Sequence, residues 1–142
     1  MIKIVTSGHF DPLHRGHLEL LRMSKKLGDV LFVIVASDRQ LLRKYGYLLY
    51  PLNRRIERLL RKAPFIDGVV VAIDKDDSVC DTLRLIRPDI FTKGGDRNEK
   101  TMNPREIKIC EEINCKIVYG MGDKKAHSHL LRERFKRKYG NV

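Results

Sequence analysis

The chain has no long apolar run: nothing approaches the roughly 20 residues that span a bilayer, and its N-terminus carries no signal-peptide pattern. A cytoplasmic protein working away from the membrane is therefore expected, with Met1 leading directly into a first strand and nothing processed away. Cysteine is scarce as well. Cys80, Cys110 and Cys115 are odd in number and scattered, which argues against a disulfide framework and for reduced thiols. Cys110 and Cys115 make a poor zinc half-site without a second pair, and read more simply as a helix residue and a strand-edge residue. No internal repeat, low-complexity tract or linker interrupts the pattern, so residues 1–142 are expected to form one domain with a real core. Acid is in deficit: 18 Asp and Glu against 29 Lys and Arg leave a formal charge of +11. That excess suits a polyanionic ligand, and equally nucleic acid or an anionic surface.

What is present is an alternation of short apolar runs with helical patterns. Ile2 to Thr6 reads as a first strand, and the apolar spacing from Leu18 to Leu27 as a helix that Gly28 ends. Val30 to Ala36 is a continuous apolar run, the mark of a strand buried on both faces, and Ser37-Asp38 closes it. Arg39 to Tyr50 is basic and aromatic, either a solvated helix with a loop or a flap over a ligand. Pro51 opens a helix with Ile56, Leu59, Leu60 and Ala63 inward, and Val69 to Ile73 is a third strand. Ser78 can cap a helix carrying Val79, Leu83 and Ile86; a fourth strand runs into Lys93-Gly94-Gly95. Asn103-Pro104 starts another helix, Lys116 to Tyr119 is a fifth strand, and a final helix begins near Leu130 with a solvated basic face from Arg132 to Lys138. The expected fold is α/β, a Rossmann-like three-layer arrangement with a five-stranded parallel sheet and right-handed crossovers.

Chemistry concentrates at the first strand–helix junction, Gly8-His9-Phe10-Asp11-Pro12-Leu13-His14-Arg15-Gly16-His17. In such sheets ligands sit beyond the carboxyl ends of the strands, where helix N-termini offer N–H groups to anions. His14 and His17 are three apart and can reach one phosphate chain from one helix face. Gly8 and Gly16 allow close backbone approach, and Asp11 adds a carboxylate. Two His and an Asp could instead bind zinc, although no further cluster at metal-ligand spacing follows. Gly94-Gly95-Asp96-Arg97 falls at the same sheet edge: either a tight turn, or a place where backbone approaches a ligand and Asp96 accepts from hydroxyls.

The motif Gly8-x-Phe10-Asp11 with His14-x-Gly16-His17 resembles the signature of the cytidylyltransferase-like nucleotidyltransferases, and later segments match in order over nearly the whole chain. Pro-Asp-x-x-x-Lys-Gly-Gly-Asp, ending at Asp96, is similar to the heptose-1-phosphate adenylyltransferase branch; archaeal FAD synthetases typically have tyrosine where Gly95 stands. The resemblance implies that His14 and His17 hold nucleotide phosphates and stabilise the transition state, that Lys44 with neighbouring Arg43 covers the phosphates, and that Gly8, His9, Phe10, Asp11, Gly16, Gly94, Gly95, Asp96 and Arg97 contribute to nucleotide binding. It also implies an arginine in the helix after Pro51, either Arg55 or Arg58. A Ser/Thr-rich phosphate grip belongs in the last loop, where only Ser128 matches; either His127 and His129 substitute as donors or phosphate binding is weakened.

The function expected from this is transfer of a nucleoside monophosphate from an NTP, ATP favoured, to a phosphorylated small molecule such as a sugar 1-phosphate, releasing pyrophosphate. A CTP-dependent enzyme acting on glycerol 3-phosphate or a similar phospho-alcohol is the alternative. A non-catalytic nucleotide- or nucleic-acid-binding module is the second, which the charge keeps open. Magnesium is the expected cofactor, with no metal ligand assigned beyond Asp11 as a possible contact. A homodimer is left open.

Overall fold

The computed structural model describes residues 1–95 and 97–121. Five parallel strands form one sheet: β1 Lys3–Gly8, β2 Val30–Val35, β3 Gly68–Val71, β4 Ile90–Gly94 and β5 Lys116–Met121. Their order across the sheet is β3-β2-β1-β4-β5. Between them lie α1 Arg15–Lys25, α2 Asp38–Tyr45, α3 Leu52–Lys62, α4 Cys80–Ile86 and α5 Pro104–Glu112. This is an α/β Rossmann-like fold. The chain builds outward from β1 to β3, then returns to the other side of β1 for β4 and β5. The winding therefore reverses at β1, and the crevice for a ligand falls above its carboxyl end.

Side-chain alternation on the strands explains the three layers. Ile4, Leu31, Val33 and Val35 pack with Leu21 of α1 and Leu59 of α3. Val5, Ile34 and Phe91 face the other way, onto Leu83 of α4 and Ile109 and Cys110 of α5. Both faces of β1 and β2 are thus buried, as continuous apolar runs require. In register, Ser7 and Gly8 of β1 lie opposite Ile34 and Val35, while Thr6 lies opposite Thr92 of β4. The polar atoms of that central pair are satisfied internally. Thr6 Oγ1 donates to the Thr92 carbonyl at 3.2 Å, and the Ser24 and Thr92 hydroxyls are 2.7 Å apart.

Several element ends differ from expectation. The first helix starts at Arg15 rather than Leu18, because His14 acts as its N-cap. The third strand is Gly68–Val71, so Ile73 is past its end and 56% exposed. A Cβ at Gly68 would lie 2.9 Å from the Phe32 ring, so glycine lets the start of this strand pass close to that ring. Pro51 sits at the N-cap of α3 rather than in its first turn. Ser78 Oγ does accept from the Cys80 amide at 3.3 Å. The stronger anchor of α4 is Asp74, whose carboxylate takes the Asp81 amide at 2.6 Å and the Thr82 amide at 3.3 Å. The basic stretch after Ser37 is a capped helix: Ser37 Oγ accepts from Gln40, and Gly46, at φ 81°, ends it in the left-handed conformation. The three cysteines are free and buried, with Cys110 in α5 and Cys115 just ahead of β5. Among the described residues, no helix is long and apolar enough to cross a membrane.

Candidate active site

At the carboxyl edge of the sheet the ends of β1, β2, β4 and β5 and the helix starts beside them enclose a cleft of about 740 Å³. Its geometry begins with the two histidines. His14 Nδ1 accepts from the Gly16 amide at 3.1 Å and the His17 amide at 3.3 Å, capping α1. His17 Nδ1 in turn accepts from the His14 amide at 3.2 Å. This is a capping box made of imidazoles rather than hydroxyl and carboxylate. An accepting Nδ1 carries no proton, so each neutral ring bears its proton on Nε2. The rings stack with centroids 3.7 Å apart and planes 20° from parallel. Burial holds the His17 pKa well below its ordinary value, and the nearby His14 and His9 rings push the same way.

Phe10 supports this pair from beneath. It is 1% exposed, at φ 53°, and its ring meets His17 edge-on at 4.7 Å. A Cβ on Gly8 would lie 2.9 Å from Phe10 Cζ, so glycine is what lets the ring pass under the strand end. The peptide between Asp11 and Pro12 is cis. Asp11 is fully buried, and its carboxylate oxygens accept from the Leu49 amide at 3.0 Å and the Tyr50 amide at 2.8 Å. The structure thus places Asp11 as a clamp between the histidine loop and the loop after α2, not on the cleft surface.

Of the residues expected at the site, the structure brings Gly8, His9, His14, Gly16, His17, Lys44, Gly94, Gly95 and Arg97 to the cleft. Lys44 lies 5.5 Å over the Tyr45 ring, and the Tyr45 hydroxyl is 3.3 Å from His9 Nδ1. Arg43 stands behind them and reaches Asp77 at 3.8 Å, Asp77 itself lining the cleft. Arg55 goes elsewhere. Its guanidinium is buried and donates to the carbonyls of Tyr50, His9 and Ala36 at 3.1, 2.9 and 2.8 Å, and to Asp38 Oδ1 at 2.7 Å. Arg58 lies 4.8 Å over the Tyr50 ring, outside the cleft lining. Neither arginine is among the cleft-lining residues. Asp96, His127 and Ser128 fall outside the described residues.

The sequence reading missed part of the lining. Gln40 holds α2 to the loop after β3 by donating to the Asp76 carbonyl at 2.8 Å and the Ser78 carbonyl at 3.0 Å. Asp77, Lys93, Thr101, Asn103 and Glu106 also face the cleft. The available signal was positional: Lys93 lies on β4 where that strand reaches this edge, and the others follow strands that end there.

The model for cytidylyltransferase-like proteins matches residues 5–134. This chain belongs to the cytidylyltransferase-like family. It is 36% identical over 115 residues to the bifunctional protein HldE of Desulfatibacillum aliphaticivorans, covering 81% of this chain and 23% of that protein. It is 34% identical over 119 residues to the FAD synthase of Thermococcus sibiricus, covering 82% of this chain and 78% of that one. The chain thus spans under a quarter of the HldE relative and most of the FAD synthase. Among solved structures, a lipopolysaccharide core biosynthesis protein from Thermoplasma volcanium is similar over 87% of this chain and 99% of that one, at 30% identity and a TM-score of 0.71. The family places the chain among the nucleotidyltransferases.

Proposed function

We propose that this protein transfers a nucleoside monophosphate from an NTP, ATP favoured, to a phosphorylated small molecule of the sugar 1-phosphate kind, releasing pyrophosphate. The observation that carries this is the stacked pair His14–His17, whose Nδ1 atoms are held by backbone amides so that both Nε2–H groups are oriented before any substrate arrives. An oxygen of the acceptor phosphate attacks the α-phosphorus, and the bond to the bridging oxygen of pyrophosphate breaks. Such transfer needs alignment and charge stabilisation more than covalent help. The two imidazoles donate to the α-phosphate as its charge redistributes, and Lys44 draws the triphosphate toward α2. Gly94 and Gly95 let the nucleoside lie against backbone.

Among the described residues, no group of three or more His, Cys, Asp or Glu is placed to hold a metal, and Asp11 is occupied by amides. We assign magnesium to the triphosphate, as part of the substrate. ATP as donor and a sugar phosphate as acceptor are supported by the similarity to HldE and by Lys93-Gly94-Gly95 at the cleft floor. The FAD synthase relative, most of whose length the chain spans, favours a flavin phosphate as a second acceptor class.

The test is pyrophosphate release with each NTP and magnesium across sugar 1-phosphates, phospho-alcohols and flavin mononucleotide. Release that needs both one NTP and one acceptor is expected. Release with no acceptor dependence, or none with any pair, would overturn the assignment.

A further inference from the structure

Lys93 is the last side chain of β4 before the glycine turn, one residue past Thr92, which pairs with Thr6. It therefore sits beside the root of the histidine loop and lines the same cleft. Its side chain is only 15% exposed. Nζ lies 3.4 Å from Glu106 Oε1 and 4.3 Å over the centre of the Phe91 ring. An ammonium has three N–H donors. Carboxylate and ring engage two, the first of them at the long end of hydrogen-bond range. The described residues supply no further acceptor. A buried ammonium with an incomplete shell is costly as a purely structural element, and here the gap faces the cleft rather than the core.

Glu106 accounts for the placement. It is 7% exposed, on α5, and its other oxygen accepts from the Val79 amide at the start of α4 at 3.0 Å. That second bond fixes the carboxylate from behind and leaves Oε1 as the arm on which Lys93 rests. Arg97 lines the same wall, so an anion entering there meets two cations.

We propose that Lys93 is a phosphate-binding group on the cleft floor, with Glu106 as the positioning residue that holds it. This rests on the nucleotidyltransferase reading above and names a contact within it. An anionic oxygen is the acceptor that gains most from a poorly hydrated ammonium, because the charge-assisted bond forms in low dielectric. Four groups face Lys93: Glu106 and Cys110 from α5, Arg97 from the following loop and Phe91 from its own strand. Burial lowers the lysine pKa first of all, and Arg97 lowers it further; Glu106 opposes both. Removing that carboxylate drops the pKa further, so the ammonium is lost at a lower pH.

The experiment is calorimetric titration of the full chain with ATP, CTP and inorganic triphosphate, for wild type, Lys93→Met and Glu106→Gln. Lys93→Met should weaken the bound nucleotide and inorganic triphosphate alike, by about tenfold or more. A nucleotide loss with inorganic triphosphate unchanged would mean that Lys93 reads sugar or base, and unchanged affinity for both would mean a structural pair; either overturns the proposal. If wild type binds inorganic triphosphate but neither NTP, the broader reading fails while the Lys93 comparison still stands on triphosphate alone. Glu106→Gln keeps an acceptor for Val79 and carries the test should Lys93→Met not fold. Its loss of triphosphate affinity with rising pH should come at lower pH than in wild type, and an unmoved profile would refute the positioning role.

Discussion

Replacing Arg55 separates wall-building from phosphate binding. The buried guanidinium ties three places that the chain reaches separately: Tyr50 ahead of α3, His9 in the histidine loop and Ala36 after β2, with Asp38 as counter-charge. Arg55→Ala removes these donors and leaves three carbonyls short of a partner. Each buried unsatisfied group costs about 1–3 kcal/mol, but Asp38 is 40% exposed and water can reach it, which discounts the ion-pair part. Breaking a buried pair typically costs about 3–5 kcal/mol, and the sum here should fall in that range. Against a total stability of about 5–15 kcal/mol this is a large fraction, read as a lower urea midpoint at constant slope. Arg55→Lys retains charge but not the fork, and should fall between wild type and Ala. An Arg55→Ala protein that loses under about 1 kcal/mol while its ATP affinity drops about tenfold would return Arg55 to the phosphates.

Other perturbations follow from the same geometry. Asp11→Asn keeps one acceptor for the Leu49 and Tyr50 amides and turns an N–H₂ toward the other, so a loss of about 1–3 kcal/mol is expected by chemical denaturation. Gly8→Ala drives a methyl into Phe10, the ring that supports His17, so stability should fall by about 1–3 kcal/mol and turnover with it. Because burial lowers the His17 pKa, the unfolded chain binds the extra proton first as pH falls. This group's contribution is complete above about pH 6.5 and is lost as pH drops toward the folded value; stability against pH should show that decline, reduced in His17→Asn. Lys44→Ala should lower kcat/KM by at least tenfold with an unchanged melting temperature, since Lys44 stands at the cleft on the last turn of α2.

The sequence disclosed what is contiguous and hid what folding assembles. The histidine junction was legible because its glycines, histidines and helix start fall within ten residues, and the sheet because β1 and β2 are apolar on both faces. That the imidazoles cap their own helix was not, since helix periodicity began at Leu18 and concealed the turn before it. Asp11 looked like a ligand group because its amide partners lie 38 and 39 residues away. That Arg55 turns inward depends on the rotational phase of α3, which apolar spacing alone did not fix. Lys93 and Glu106 are 13 residues apart on different elements and meet only when α5 packs on β4.

The most direct measurement is label transfer from α-phosphate-labelled ATP and CTP, with magnesium and a phosphorylated acceptor, by wild type and by His17→Ala. Label should appear in a diphosphate-linked product, with the rate lowered about 10²–10³-fold in the variant. Label released only as the free nucleoside monophosphate, or transfer at an equal rate in His17→Ala, would contradict this mechanism.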